Sequence, residues 1–404
     1  AALAIVYDVG ARDERKGRSG FAHFFEPMMF QGSENVGKMD HFKYIEGAGG
    51  TLNASTHPDF TNYFEKVPSN QIEMMLWLES DRMRSLKVTP ENFKNQLETV
   101  KEEKRQSIDN QPYMPAAIKL EEMLFDNWAN AHAVIGSFED LDAAGVDDIK
   151  SFFKTYYAPN NAVMAIVGDF DSATMKTMVE KYFASIPKVP QPPKPDVSEP
   201  PQTTPKTTRL TDAHAKLPAF WVGWKAPNRR DQDAPALTML EKILASGESS
   251  RLYQRMIKGD QVAIQADAGF DIRRGPAAFE AFVVYKPENK AEKVREILWS
   301  EIEKLQKDPV SAEELEKARN QVLRKYFSSG GYTSLQRSIG RAELLAEYTL
   351  FFGDPKTMDE DLDAVMKVTP EDIRRVAQKY FSKSGMTIVD VETVAEGKDK
   401  KSKS

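Results

Sequence analysis

The stretch Gly20-Phe-Ala-His23-Phe-Phe-Glu26-Pro27-Met-Met-Phe-Gln-Gly-Ser33 contains the most informative residues of the chain. On a helix, His23 and Glu26 are three positions apart and share one face. Residue 27, one turn after His23, is where a helical zinc site carries its second histidine, with a neighbouring Glu to activate water. Here that position is proline. A single His beside aromatic residues is more often structural, so the pattern needs support from elsewhere in the chain.

The helix predicted after Thr89 carries a second candidate residue. Thr89 is a suitable N-cap, and Pro90 is suited to the first helical position. Glu103 lies seven residues after Gln96, so the two side chains are aligned along one flank of this helix. That flank borders an apolar stripe formed by Phe93, Leu97 and Val100. By itself, Glu103 could equally be a solvated surface residue.

Composition excludes several classes of protein. The 404 residues carry a net charge of −6, with 41% hydrophobic and 29% charged residues, as in ordinary globular proteins. Cysteine is absent, which excludes a disulfide scaffold, a cysteine-ligated metal site and a cysteine nucleophile. We find no basic cluster typical of a nucleic-acid binder and no apolar run of about 18 residues that could span a membrane. A cysteine-free chain suits an oxidising compartment, and we expect a soluble, periplasmic protein.

A proline-rich segment divides the chain. Eight of the 23 prolines lie between Pro187 and Pro205, and such a run forms an extended, semi-rigid linker. We therefore predict an N-terminal domain over residues 1–186, a linker over 187–205 and a C-terminal domain over 206–395. The Lys/Ser-rich tail, residues 396–404, is predicted to be disordered.

The two halves are related in sequence pattern. An Asp-Ile-basic triplet begins at Asp148 and again at Asp372, and an aromatic pair begins at Tyr156 and again at Tyr380. Both pairs of positions are separated by the same 224 residues. Each aromatic pair is followed by a short apolar run typical of a strand. The pattern predicts an α+β fold of two homologous α/β-roll domains, each a mixed sheet packed by helices.

Taken together, these motifs resemble those of the pitrilysin-type inverzincins, a zinc metallopeptidase family whose relatives include insulin-degrading enzyme and the mitochondrial processing peptidase. The resemblance covers essentially the whole chain. The matching segments are Gly20–Ser33, Gly49–Ala54 with Thr56, Asp59, Thr61 and Tyr63, Leu78–Met83, Val100–Arg105, Tyr157–Asn161 and Ser249–Tyr253.

The resemblance implies a function and a site. Family members hydrolyse peptides with zinc held by two histidines and a glutamate, at the positions of His23, Pro27 and Glu103. The general base of the family corresponds to Glu26. The segment beginning at Gly50 corresponds to an edge strand to which an extended peptide adds, with Asn53 and Ala54 as the expected substrate-binding residues.

Pro27 is the main departure from the family pattern. It removes one of three expected protein ligands, leaving His23 and Glu103. Proline inside a helix also costs about 3 kcal/mol and is expected to displace the turn that carries His23. Zinc binding is therefore expected to be weak or absent, and activity is expected to be poor. His57 is a nearby substitute ligand without a supporting spacing, and Gln96, where many relatives have a supporting Glu, is a minor departure.

A second departure lies in the C-terminal half. Family members that complete their active site from this half carry an Arg and a Tyr seven residues apart, and these positions are Ile257 and Ile264. Isoleucine can neither polarise nor hydrogen-bond a substrate carbonyl. The chain thus resembles the metal-bearing subunit of a heterodimer whose partner supplies the Arg/Tyr pair.

Three hypotheses remain open at this point. The chain is a zinc metalloendopeptidase subunit that cuts extended peptides, a non-catalytic subunit that binds peptides or scaffolds a partner, or an active enzyme whose second histidine was replaced recently or deliberately. Retention of His23, Glu26, Glu103 and the edge strand favours a single change on a catalytic background. The other histidines with no ligand spacing, His41, His132 and His214, are expected to be ordinary, and Arg82 is expected to be structural.

Overall fold

A computed structural model describes residues 1–328 and 334–394. Within these ranges the strands are β1 Ala2–Tyr7, β2 Thr51–Thr56, β3 Thr61–Lys66, β4 Ala162–Val167, β5 Lys206–Asp212, β6 Ala219–Ala226, β7 Ala263–Asp271, β8 Ala277–Tyr285 and β9 Thr387–Thr393. The α-helices are α1 Phe21–Met28, α2 Asp40–Gly47, α3 Ile72–Ser85, α4 Pro90–Lys104, α5 Met114–Leu124, α6 Trp128–Ala131, α7 Phe138–Asp142, α8 Val146–Tyr156, α9 Ser172–Phe183, α10 Ala234–Ala245, α11 Ala291–Lys307, α12 Ala312–Phe327, α13 Ser338–Phe352, α14 Thr357–Lys367 and α15 Pro370–Tyr380. Two short π-helical segments span Arg105–Asp109 and Tyr253–Gly259.

The first compact unit is built on a four-stranded antiparallel sheet. It comprises residues 1–102, 128–197 and 320–364, and its strand order is β2-β3-β1-β4. All six residues of β1 are buried, which explains its continuous apolar sequence. Alternate side chains of β1 enter two cores. Leu3, Ile5 and Tyr7 pack with the aromatic residues of α1, whereas Ala2, Ala4 and Val6 pack against α13.

The second unit contains a five-stranded sheet. It comprises residues 103–127, 198–319 and the described residues from 365 onward, and its strand order is β5-β9-β6-β8-β7. Here β5 pairs in parallel with β9, and the other neighbours are antiparallel. Helix α5 packs Ala116 and Leu120 against residues of β6, β8 and β9. Helix α10 contacts β7, and α15 contacts β6.

The two sheets repeat one topology. The order β2-β3-β1-β4 of the first sheet corresponds to β7-β8-β6-β9 of the second. In each unit the last of these strands follows a helix that ends at the aromatic pair, α8 before β4 and α15 before β9. The predicted fold class, two related mixed α/β domains, is confirmed.

The compact units do not follow the linear halves of the chain. Residues 320–364 belong to the first unit and residues 103–127 to the second, so the predicted boundaries at 186 and 206 stay a prediction. The proline-rich segment 187–205 contains neither helix nor strand. It nevertheless makes specific contacts, because Asn160 Oδ1 accepts a 3.0 Å hydrogen bond from the Val189 amide. The predicted tail, residues 396–404, lies outside the described residues.

Local predictions near the candidate site agree with the structure. Helix α4 begins at Pro90, and the Thr89 hydroxyl accepts a 3.1 Å hydrogen bond from the Asn92 amide, as expected for an N-cap. Helix α3 directly precedes α4 in the chain. Over the described part of the chain, every helix is too short or too polar to cross a bilayer.

A buried ion cluster supports the sheet of the first unit. Arg82 donates to Glu79 Oε2 at 2.9 Å and lies 3.7 Å from Glu65 Oε1, and His41 Nε2 contacts the same Glu65 oxygen. The guanidinium also lies 4.6 Å from the ring centroid of Tyr63. Burial raises the pKa of Glu79 to about 7, although the charge of Arg82 opposes this shift. Arg82 is therefore structural, since it neutralises carboxylates that no solvent reaches.

Replacement of Arg82 by Met should leave Glu65 and Glu79 without their cation. We expect a loss of about 3–5 kcal/mol in the free energy of unfolding at pH 8, measured by urea denaturation. The loss should shrink as the pH falls towards 5, because protonation of the two buried carboxyl groups then removes the uncompensated charge.

The matched control is Arg84→Met on the same helix, where the side chain is exposed. We expect it to change stability by less than about 1 kcal/mol. Two results would contradict the role assigned to the cluster. One is an equal loss of unfolding free energy in the two variants, and the other is a loss in Arg82→Met that does not depend on pH.

Candidate functional site

Helix α1 presents His23 and Glu26 from a two-turn segment. The helix starts after Gly20, which has a left-handed backbone with φ of 85°. Phe21, Phe24 and Phe25 are buried in the core, so His23 and Glu26 are left half-buried on the remaining face. The predicted shared face of His23 and Glu26 is therefore compatible with the packing of α1.

Pro27 lies inside this helix. The chain stays helical from Phe21 to Met28, in contrast to the expected displacement of the turn. Flanking hydrogen bonds are retained, from the Phe24 amide to the Gly20 carbonyl at 2.8 Å and from the Met29 amide to the Phe25 carbonyl at 3.1 Å. The buried aromatic residues hold the helix in place. Proline still cannot supply the bond from residue 27 to the carbonyl of His23, and its side chain has no ligand atom.

Glu26 is oriented by the neighbouring strand. The hydroxyl of Thr56, the last residue of β2, donates to Glu26 Oε2 at 2.7 Å. This contact places the carboxylate next to the strand that is expected to bind peptide. Of the described strands, β2 is hydrogen-bonded only to β3, so its other edge is open. Thr51 and Asn53 of β2 are exposed.

Glu103 lies in the last turn of α4, and its side chain is exposed. The aromatic contact between Phe24 and Phe93, with centroids 5.4 Å apart, joins α1 to α4 within the first unit. Gln96 is buried with 8% relative exposure, and it lies on the same helix. Glu103 itself is the first residue of the second unit. The role of Glu103 as a ligand thus stays a prediction.

The residues at the expected zinc position do not form a complete donor set. Pro27 offers no ligand atom, and His57 is engaged elsewhere, with Nε2 3.1 Å from Ser55 Oγ and its ring stacked on Phe60. Within residues 1–328 and 334–394, the one three-residue group of His and acidic side chains with ligand atoms within 4.8 Å is His41, Glu65 and Glu79. Because Arg82 already binds these carboxylates, a divalent cation there would face a buried positive charge.

The expected Arg and Tyr positions carry no polar group. Ile257 is half-buried in the second π-helical segment, and Ile264 on β7 is 53% exposed. An exposed isoleucine on a strand leaves apolar surface but offers no hydrogen bond to a substrate. Neither a guanidinium nor a phenol hydroxyl is therefore present at positions 257 and 264.

His132, expected to be ordinary, and Glu14, which no sequence pattern indicated, form a pair at the start of α1. Glu14 Oε1 accepts a 2.7 Å hydrogen bond from the Ala22 amide, and His132 Nε2 lies 2.9 Å from Glu14 Oε2. A Glu six residues before Gly20, the residue that precedes the helix, is a weak capping signal. No local signal identifies His132, because it lies 118 residues from Glu14 in the chain.

Replacement of Pro27 by Ala should stabilise the protein whether or not zinc binds. The change restores a backbone donor for the His23 carbonyl and removes the ring clash, so we expect a gain of about 1–3 kcal/mol in the free energy of unfolding. Urea denaturation in the presence of a chelator measures it. An unchanged or lower stability would show that α1 accommodates the ring without strain.

Comparisons with known proteins identify the family of the chain. Residues 1–133 match the family model described as Insulinase (Peptidase family M16), and residues 144–322 match the model described as Peptidase M16 inactive domain. The zinc protease PqqE of Helicobacter pylori is 28% identical over 387 residues, which cover 95% of this chain and 86% of that relative. Several other relatives are named uncharacterized zinc proteases, such as YmxG of Bacillus subtilis, which is 24% identical over 392 residues, covering 94% of this chain and 90% of that relative.

Solved structures show the same fold. A protease from Helicobacter pylori superposes with a TM-score of 0.90 and 27% identity, covering 97% of this chain and 94% of that chain. The periplasmic protease PqqL from Escherichia coli superposes with a TM-score of 0.77 and 16% identity, covering 97% of this chain and 45% of that chain. The two matched models and the similarity along nearly the whole chain lead to one conclusion: the chain belongs to peptidase family M16.

Proposed function

We propose that this chain is a metallopeptidase-type subunit that binds extended peptides along β2 and, with Pro27 in place, holds catalytic zinc weakly or not at all. The observation that carries the proposal is the contrast within α1. Its helical geometry, His23 and the contact between Glu26 and Thr56 are all retained, whereas residue 27 has no ligand atom. A site that lost its function long ago would be expected to have changed at more than one of these positions.

The open edge of β2 supports peptide binding. Asn53 Oδ1 accepts a 2.9 Å hydrogen bond from the Ala54 amide, so a local side chain occupies a backbone donor of this strand. An extended peptide that adds to β2 would offer its own carbonyl to the strand and its amide to the Asn53 carboxamide. Asn53 and Ala54 are therefore the proposed substrate-binding residues.

The catalytic part of the proposal is limited by the donor set. Zinc, when bound, polarises a water for attack on a peptide carbonyl, and catalytic zinc sites normally have three protein ligands. This chain supplies His23 and Glu103 at the family positions. Glu26, oriented by Thr56, is the proposed general base. We therefore expect slow hydrolysis by the chain as it stands.

The isoleucines in the second unit support a requirement for a partner. Ile257 and Ile264 cannot supply the Arg and Tyr expected of a self-sufficient family member. We infer that a homologous, non-identical subunit supplies them in a heterodimer. One of the solved structures with this fold is a periplasmic protease, and the chain has no cysteine. We therefore also propose the periplasm as its compartment.

The alternative is a non-catalytic subunit that binds peptides or scaffolds a partner. The match of residues 144–322 to a model described as an inactive domain favours this alternative for that part of the chain. The two candidate functions differ in their response to one substitution. A peptidase subunit that lost only its second histidine should bind zinc again when residue 27 becomes histidine. A subunit that never bound metal should not.

Zinc content tests the proposal. The protein and its Pro27→His variant are dialysed side by side against micromolar zinc and analysed for metal per chain. We expect about one zinc in the histidine variant and far less in the unchanged protein, because only the variant has three ligands. Pro27→Ala serves as the matched control, since it repairs the helix without adding a ligand.

Each other result has a definite meaning. Stoichiometric zinc in all three proteins would show that another residue completes the site and would overturn the role of Pro27. Absence of zinc from the histidine variant would favour the non-catalytic alternative. Loss of zinc on adding Glu103→Gln to the histidine variant would assign the third ligand.

Peptide hydrolysis tests the partner argument. The Pro27→His variant is compared with a triple variant that also carries Ile257→Arg and Ile264→Tyr, using a fluorogenic peptide library. We expect the triple variant to be at least about 100-fold faster, because hydrogen-bond donors to the substrate carbonyl contribute effects of this size. Equal rates would contradict the inferred role of positions 257 and 264.

A further inference from the structure

A buried carboxylate caps the amino end of α1. Glu14 Oε2 accepts the Gly20 amide at 2.8 Å, and Glu14 Oε1 accepts the Ala22 amide at 2.7 Å. The first amides of a helix have no partner within the helix, and the positive end of the helix dipole favours an anion there. Glu14 thus satisfies two backbone donors within three residues of His23.

His132 faces the same carboxylate. Its Nε2 lies 2.9 Å from Glu14 Oε2, and its Nδ1 lies 2.8 Å from the Trp128 carbonyl oxygen. A carbonyl has no proton to donate, so Nδ1 carries the proton in that contact. Nε2 then needs its own proton to bond an ionised carboxylate, which makes the ring an imidazolium. Burial lowers the pKa of His132, but the hydrogen bond and charge of Glu14 outweigh this and raise it.

The ring of His132 is held rigidly. It stacks on Trp128 with centroids 3.9 Å apart and an interplanar angle of 9°. Its side chain is 8% exposed, and that of Glu14 is 0% exposed. The pair is therefore a buried ion pair of fixed geometry rather than a mobile surface contact.

The backbone packs closely at the same point. A Cβ on Gly20 would lie 2.7 Å from the Ile135 carbonyl oxygen, and a Cβ on Gly136 would lie 2.5 Å from the Ser19 carbonyl oxygen. The Ser19 amide also donates to Asp140 Oδ2 at 3.0 Å. The segment from Trp128 to Asp140 is thus attached to the start of α1 by an ion pair, by glycine packing and by a hydrogen bond.

The capped amino end of α1 lies within one helical turn of His23. His23 is the third residue of the helix and lies in the turn whose amino end Glu14 caps. We propose that the Glu14–His132 ion pair positions α1, and with it the side chains of His23 and Glu26. This inference rests on the proposed function, and both residues are positioning residues that touch neither metal nor substrate.

The first test uses zinc affinity in the Pro27→His background. His132→Gln is added, and the dissociation constant for zinc is measured by competition with a chromophoric chelator. We expect binding about 10–100-fold weaker, the usual effect of losing a group that orients a metal ligand. The matched control is His214→Gln, which changes an exposed histidine of the second unit. Equal affinities in the His132 and His214 variants would overturn the proposal.

A double variant distinguishes a pair from two separate contributions. If Glu14 and His132 act together, Glu14→Gln with His132→Gln should weaken zinc binding no more than the worse single change. The two amides can hydrogen-bond to each other without a buried charge. If the double variant instead loses zinc affinity by the product of the two single-variant factors, the residues act independently, contrary to the proposal.

Two further measurements use the protein that keeps Pro27. They test the ion pair separately from the proposed function. Nitrogen-15 NMR of labelled histidines at pH 7 should show His132 protonated on both ring nitrogens, with the signal assigned by its loss in His132→Gln. Hydrogen exchange at Gly20 and Ala22 should be at least about 10-fold faster in His132→Gln, because the cap is weakened. If the Pro27→His variant does not bind zinc, the proposed function is contradicted, but these two measurements still test the Glu14–His132 ion pair. A neutral His132 ring together with unchanged hydrogen exchange would overturn the proposed ion pair.

Discussion

A zinc site on a helix requires ligand atoms at positions i and i+4 on one face and an intact turn between them. Proline at residue 27 fails the first requirement completely, because its ring has no donor atom, and it weakens the second by removing one backbone hydrogen bond. The surrounding structure retains α1 as a helix all the same. Residue 27 is thus the position on which the interpretation of the whole first unit depends.

The retained position of α1 has identifiable causes. Its aromatic face packs into the core beneath β1, and Phe24 contacts Phe93 of α4. Its amino end is capped by Glu14, and Glu26 near its carboxyl end is bonded to Thr56 of β2. These contacts come from segments far apart in sequence, so α1 keeps its place beside β2 although residue 27 is proline.

The sequence was sufficient to predict features that depend on local pattern. The helix α4, the Thr89 cap and the repeated helix-to-strand unit at the end of each half all appear as expected. The shared face of His23 and Glu26 follows from helical spacing alone. By contrast, the inclusion of residues 320–364 in the first unit and of 103–127 in the second depends on long-range packing, which periodicity does not encode. The Glu14–His132 pair was missed for the same reason.

The most direct measurement is zinc-edge anomalous diffraction from crystals of the Pro27→His variant grown with zinc. It locates the metal rather than counting it. We expect one strong peak bonded to His23, Glu103 and the histidine introduced at residue 27, with Glu26 beside it and unbonded. A peak at His57, or at the His41, Glu65 and Glu79 group, would contradict the assignment of residue 27 as the missing ligand position, and so would a peak of equal height at His23 in crystals of the unchanged protein.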